Sequence, residues 1–217
     1  MHRLRLTLIL SIVALSACAL ASASASALEF LDNVTGNTFT ATSGAGELRD
    51  VANGLSIKCE KDTVTLANGK ITGAKTIEVV VDFEQCTFLG VVANSLGDVA
   101  DTTGNKRGLI LAPAKGELCT IKAGEVGVFF TVPLLHIEVP SLGELLEVNG
   151  TALGVITPLK SLTTGPYTLE LKKAGPKECG VKKAKLAFEI NHNGTPLEAE
   201  EITKEAITAD KDLEIME

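Results

Sequence analysis

"YTLELKK", Tyr167 to Lys173, decides the fold class. Leu169 and Leu171 alternate with Thr168, Glu170 and Lys172, and an extended chain sends successive side chains to opposite faces. That period marks a strand with one dry face and one wet face. Working outward, "TIEVVVDF" (Thr76 to Phe83), "EVGVFFTV" (Glu125 to Val132) and "KLAFEI" (Lys185 to Ile190) are short runs of β-branched and aromatic residues, the types that suit a pleated surface. Asn-Gly stands between such runs at Asn53-Gly54, Asn68-Gly69, Asn149-Gly150 and Asn193-Gly194. Both residues tolerate the positive φ that a type I′ hairpin turn demands. The 20 glycines and seven prolines suit many tight turns. Strands at roughly 8–12-residue spacing predict an all-β protein: an antiparallel β-sandwich or barrel-like fold of many short, hairpin-connected strands. The closing segment "LEAEEITKEAITADKDLEIME" (Leu197 to Glu217) is rich in good helix formers. Ile202, Ala206, Ile207 and Leu213 hold no helical stripe, so it too reads as β.

The N-terminus has a different design. Arg3 and Arg5 precede an apolar run from Leu6 to Ala17, and an Ala-Ser ladder follows. A basic start, a short apolar core and small residues make residues 1–27 a secretory signal peptide. The run is too short to span a bilayer, which takes about 20 apolar residues. Two outcomes compete. Cleavage after Ala27 leaves a chain starting at Leu28, whereas Leu15-Ser16-Ala17-Cys18 resembles a lipobox in which Cys18 is acylated. In that case residues 1–17 are removed and 18–28 become a tether. Residues 28–217 form a single all-β domain, with no linker and no fixed-period repeat inside it.

Removing residues 1–27 takes away two of the 20 basic residues and none of the 27 acidic ones, leaving 18 against 27 and a charge of −9. An acidic surface repels phosphate backbones, which argues against nucleic acid as a partner. The four cysteines left are Cys59, Cys86, Cys119 and Cys179, no two closer than 27 residues, so zinc-type spacing is missing. In an exported chain they read as two disulfides with three connectivities open; Cys86–Cys119 with Cys59–Cys179 is the preferred pairing.

"GNTFTATSGAGEL", "SIKCEKDTVT" and "GKITGAKTIEVVVDFEQCTF" give the stretch from Gly36 to Phe88 a texture of glycine, threonine and spaced cysteine. It resembles a group of small exported proteins of soil actinobacteria. The resemblance implies export and an all-β fold. The group has no assigned activity, so it carries over no functional residue.

Chemistry-bearing residues are sparse. "LLHIEV" puts His136 and Glu138 on one side of a strand, about 7 Å apart, opposite Leu135, Ile137 and Val139. Such a pair can begin a metal site or an acid-base couple, though a solvated strand face is the commoner meaning. His192 lies in the turn-like "INHNGT". The chain contains no G-x-S-x-G, H-E-x-x-H or phosphate-loop pattern. "LGDVADTTGNKRG" gathers Asp98, Asp101 and Asn105 into one loop; oxygen-rich loops hold Ca²⁺, but this spacing is not an EF-hand. Lys172, Lys173, Lys177, Lys182, Lys183 and Lys185 cluster around Cys179. They suit an anionic envelope polymer or lipid head groups, or else discourage sheet-to-sheet pairing at an edge. Sequons at Asn33, Asn149 and Asn193 largely coincide with the Asn-Gly pairs. There is no Trp and one Tyr, Tyr167, which leaves few platforms for stacking sugars or bases.

The expectation is therefore an exported, non-catalytic envelope or extracellular module for binding or structure, with no cofactor. The alternatives are a metal-dependent or hydrolytic enzyme using His136 and Glu138, and a secreted inhibitor or partner-binding protein.

Overall fold

A computed structural model describes residues 28–30, 35–96, 108–159, 163–171, 178–179, 182–190 and 196–216. Cys18, Asp98, Asp101, Lys172, Lys173, Lys177 and His192 lie outside these residues. The described chain is all-β. In order it forms β1 (Glu29–Phe30), β2 (Phe39–Ser43), β3 (Gly46–Asp50), β4 (Ser56–Cys59), β5 (Lys61–Val64), β6 (Gly69–Ile71) and β7 (Thr76–Glu84). Then come β8 (Thr87–Phe88), β9 (Val91–Val92), β10 (Asn94–Ser95), β11 (Ile110–Lys122), β12 (Glu125–Val139) and β13 (Glu144–Thr157). The last are β14 (Tyr167–Leu171), β15 (Glu178–Cys179), β16 (Lys182–Lys183), β17 (Leu186–Ile190), β18 (Leu197–Ala209) and β19 (Ile215–Met216).

Eight strands close on themselves. The order β14–β13–β12–β11–β7–β5–β2–β18 returns to β14 through Leu169↔Glu205 and its neighbours, and every pair is antiparallel. Closure leaves the ring itself without a free edge. Inside sit Phe39, Ala41, Val64, Val79, Leu118, Val126, Val128, Phe130, Ile156, Tyr167, Leu169 and Leu171. Outside, Lys115 pairs with Glu78 at 3.0 Å and Lys61 with Glu84 at 3.0 Å, a face matched to water. β1 and β19 pair across the chain ends, and Leu28, Phe30, Leu213 and Ile215 add to this core.

A second lobe grows from the same strands. β17 bridges β13 and β18, β3 and β4 extend from β18, β8 and β9 follow, and β10 pairs with β12. Its core holds Ile57, Cys59, Cys86, Phe88, Ala93, Ile110, Ile137, Val139, Leu146, Val148, Leu186 and Ala199. This sharing explains a departure from the short strands expected. β11, β12, β13 and β18 run 13, 15, 14 and 13 residues, because β12, β13 and β18 each serve both lobes. β12 changes register between Val132 and Leu135, across Pro133, and β13 turns at Gly150 (φ 123).

The Asn-Gly pairs do not make the type I′ turns expected of them. Asn149-Gly150 lies inside β13, and neither Asn53 nor Asn68 has a positive φ. The two-residue hairpin with positive φ at both central positions is instead Leu89-Gly90 (φ 51 and 81), joining β8 to β9. Asn193 lies outside the described residues.

The disulfides also correct the expectation: they are Cys59–Cys86 and Cys119–Cys179. Register shows why neither Cys86–Cys119 nor Cys59–Cys179 forms. Cys86 is bonded to Gly108 at one end of β11 through its amide at 2.7 Å, while Cys119 lies near the other end of that strand. The nine-residue rise along β11 from Ile110 to Cys119 alone separates those levels by roughly 30 Å, whereas a disulfide needs Cα atoms within about 7 Å. Cys59 and Cys86 lie in the second core; Cys119 points outward and pins the hairpin β15–β16 onto Phe129 and Leu153. Two disulfides mark a chain that works in an oxidising, extracytoplasmic environment.

Candidate functional site

A cavity of about 140 Å³ runs through the interior. Its walls follow from strand parity: Ile77, Val79, Val81 and Phe83 of β7, Ile110, Ala112 and Ala114 of β11, and Leu169 and Leu171 of β14 are every second residue of their strands. The lining extends from Tyr167 and Leu213 in the barrel core to Ile57 and Leu186 in the second core. Voids of this size with apolar walls hold small hydrophobic molecules; one of about 150 Å³ takes benzene. Two structural details pack its barrel end. The Tyr167 hydroxyl donates to the Leu213 carbonyl, tying the end of the chain to the barrel. Leu28 and Phe30 are buried in the same core.

The interior has a polar sector that the sequence reading did not single out. β18 directs Ala199, Glu201, Thr203, Glu205 and Ala209 to the inside. Asp62 of β5 is fully buried beside them, its Oδ2 accepting from Ser43 Oγ and from Thr203 Oγ1 at 3.2 Å. Burial raises the Asp62 carboxyl above the usual carboxylate range, against the lowering effect of those two hydrogen bonds. Burial, with repulsion from Asp62, pushes Glu201 up to about 7. Burial, with repulsion from Asp62 and Glu201, pushes Glu205 up to about 8. The signal was present in the tail: read as a strand, Glu201, Thr203 and Glu205 share parity with Ala199, Ile207 and Ala209. Acids on an apolar face look like helix-forming residues until the period is fixed.

The residues singled out from the sequence fall elsewhere. His136 Nε2 contacts Glu147 Oε1 at 2.8 Å across β12 and β13, and Glu138 stands opposite Leu145 and Asn94. Leu135, Ile137 and Val139 face the second core as the alternation predicts. Neither His136 nor Glu138 lines the cavity. Among the described residues no group of three or more His, Cys, Asp or Glu side chains is arranged to hold a metal ion. Lys182 and Lys183 form β16, and Lys185 is exposed on the way to β17. No helix among the described residues is long and apolar enough to cross a membrane. No known family, no curated protein and no solved structure matches this chain.

Proposed function

We propose that the chain is an exported binding protein that carries a small apolar ligand inside its barrel. The observation that carries this reading is the cavity of about 140 Å³, walled by alternate residues of a closed ring of strands. A folded core ordinarily packs to crystal-like density, so space kept between the barrel core and the second core is a place for a guest. Its volume suits about six to eight heavy atoms, below the range of drug-sized sites. Export rests on Arg3, Arg5, the run from Leu6 to Ala17 and the two disulfides. Cleavage after Ala27 would release a carrier beginning at Leu28; acylation of Cys18 would hold the same barrel on an 11-residue leash. The intact mass of the protein from its native host separates these two forms.

The binding test uses a built-in reporter: Tyr167 is the sole tyrosine, there is no Trp, and its ring lines the cavity. Toluene and hexanol are expected to change tyrosine emission saturably, one per chain, and to raise the Tm. Ala152→Leu, which fills space opposite Phe130, is expected to abolish that response while leaving the protein folded. If neither molecule alters emission or Tm, the barrel is not a carrier of small apolar ligands.

A further inference from the structure

Two other buried acids among the described residues have partners. Glu200, one residue along β18 on its other face, is held by the Arg49 guanidinium, with Nε 3.0 Å from Oε1. Asp50 accepts from the backbone amides of Ala52 and Asn53 at 2.8 Å each. The interior sector breaks that pattern. Glu205 is 6% exposed and lines the cavity, and neither a hydrogen bond nor an ion pair reaches its carboxyl among the described residues. Glu201 lines the same space without a basic partner. Asp62 Oδ1 is buried with nothing bonded to it. The neighbouring elements bring no compensating charge: β2 supplies Ser43, β3 Gly46 and Glu47, β5 Asp62, and β14 Tyr167, Leu169 and Leu171. Leaving a buried carboxylate unpaired is costly, so Glu201 and Glu205 together at the edge of an apolar cavity, with Asp62 behind them, call for a cation that arrives from outside.

We propose that the ligand is a small primary amine bound as its ammonium, with its apolar body in the cavity and its N–H groups on Glu201 and Glu205. This rests on the reading of the barrel as a carrier. An ammonium offers three donors and a full positive charge, where an alcohol offers one donor and a carboxylate ligand adds repulsion. The metal alternative lacks the geometry, since these acids do not converge as ligands. The raised carboxyls give the interaction a direction with pH. At about pH 6 the pair is largely protonated; by about pH 8.5 both groups ionise readily against a bound ammonium, so affinity rises over that interval.

The experiment compares hexylamine, hexanol and hexanoate on the exported chain with both disulfides formed, by calorimetry and by Tyr167 emission. At about pH 8, hexylamine is expected to bind at least about tenfold more tightly than hexanol, with hexanoate weakest. The hexylamine affinity is expected to fall about tenfold on moving to about pH 6, while that of hexanol stays flat. Glu201→Gln and Glu205→Gln, singly and together, are expected to erase the preference for the amine and to keep hexanol binding. These amides remove buried charge, so Tm reports that each variant is folded. If hexanol binds and hexylamine binds no better, the amine proposal is overturned and the carrier reading stands. If hexylamine binds equally to the glutamine variants, it sits on the acidic surface and the proposal is overturned. If none of the three binds, the carrier reading itself has failed.

Discussion

Glu205 shows how one residue sets a condition on the whole fold. Its carboxyl titrates at about 8 in the folded chain against an ordinary 4.5, so the folded state holds a proton that the unfolded state has lost between those values. The resulting stabilisation is complete below about pH 4.5 and disappears as pH rises through about 8. Glu205→Gln is therefore expected to raise the Tm relative to the parent at about pH 8.5 and to leave it unchanged near pH 4.5. Equal shifts at both pH values would show that the carboxyl is not titrating as its burial demands. Leu89 carries a different cost. It sits at φ 51 and is 62% exposed, so little burial offsets its left-handed backbone. Leu89→Asn is expected to stabilise by about 1 kcal/mol, read as a shift in urea midpoint without a change in slope. Neither residue stood out in the sequence, because a strained φ and an inward-facing acid become visible only once register is known.

Among the elements, β13 shows where patterning was legible and where it failed. In β14, Tyr167, Leu169 and Leu171 are buried and Thr168 and Glu170 half-exposed, as "YTLELKK" indicates. β12 gave no such alternation, because Val126, Val128 and Phe130 face the barrel core while Phe129 is covered from outside by the β15–β16 hairpin. Asn149-Gly150 read as a turn, yet β13 runs straight through it. Gly150 bends the strand at the level where it leaves β17 for β14, and a Cβ there would collide with the Lys185 carbonyl oxygen. Gly150→Ala is accordingly expected to cost at least about 2 kcal/mol. Gly143→Ala, also at positive φ (66) but with open space around it, is expected to cost about half that in the same denaturation experiment. A small effect at Gly150 would mean that the bend is not fixed by this residue. The tail was legible as β and illegible as a site, for one reason: its inward positions hold glutamates.

At the level of the molecule, the all-β class and the use of Cys59, Cys86, Cys119 and Cys179 in two disulfides were legible; their pairing and the closure of the ring were not, since both depend on which distant strands meet. The two disulfides close spans of 27 and 60 residues, worth roughly 3–4 kcal/mol each by restriction of the unfolded chain. Replacing Cys119 and Cys179 together by Ala is expected to lower stability by about that amount while leaving hexanol binding intact, because that bridge sits outside the barrel. A loss of binding in that variant would place the hairpin among the determinants of the cavity. β18 has a further consequence, in time rather than space. It completes the ring between β14 and β2, joins the second lobe through β17 and β3, and arrives after nearly every other strand. Neither lobe can close until it emerges, and contacts this distant in sequence form slowly. Until β18 has met both β14 and β2 the chain therefore remains an open, threadable ribbon, and the interior space comes into existence only when that late strand docks.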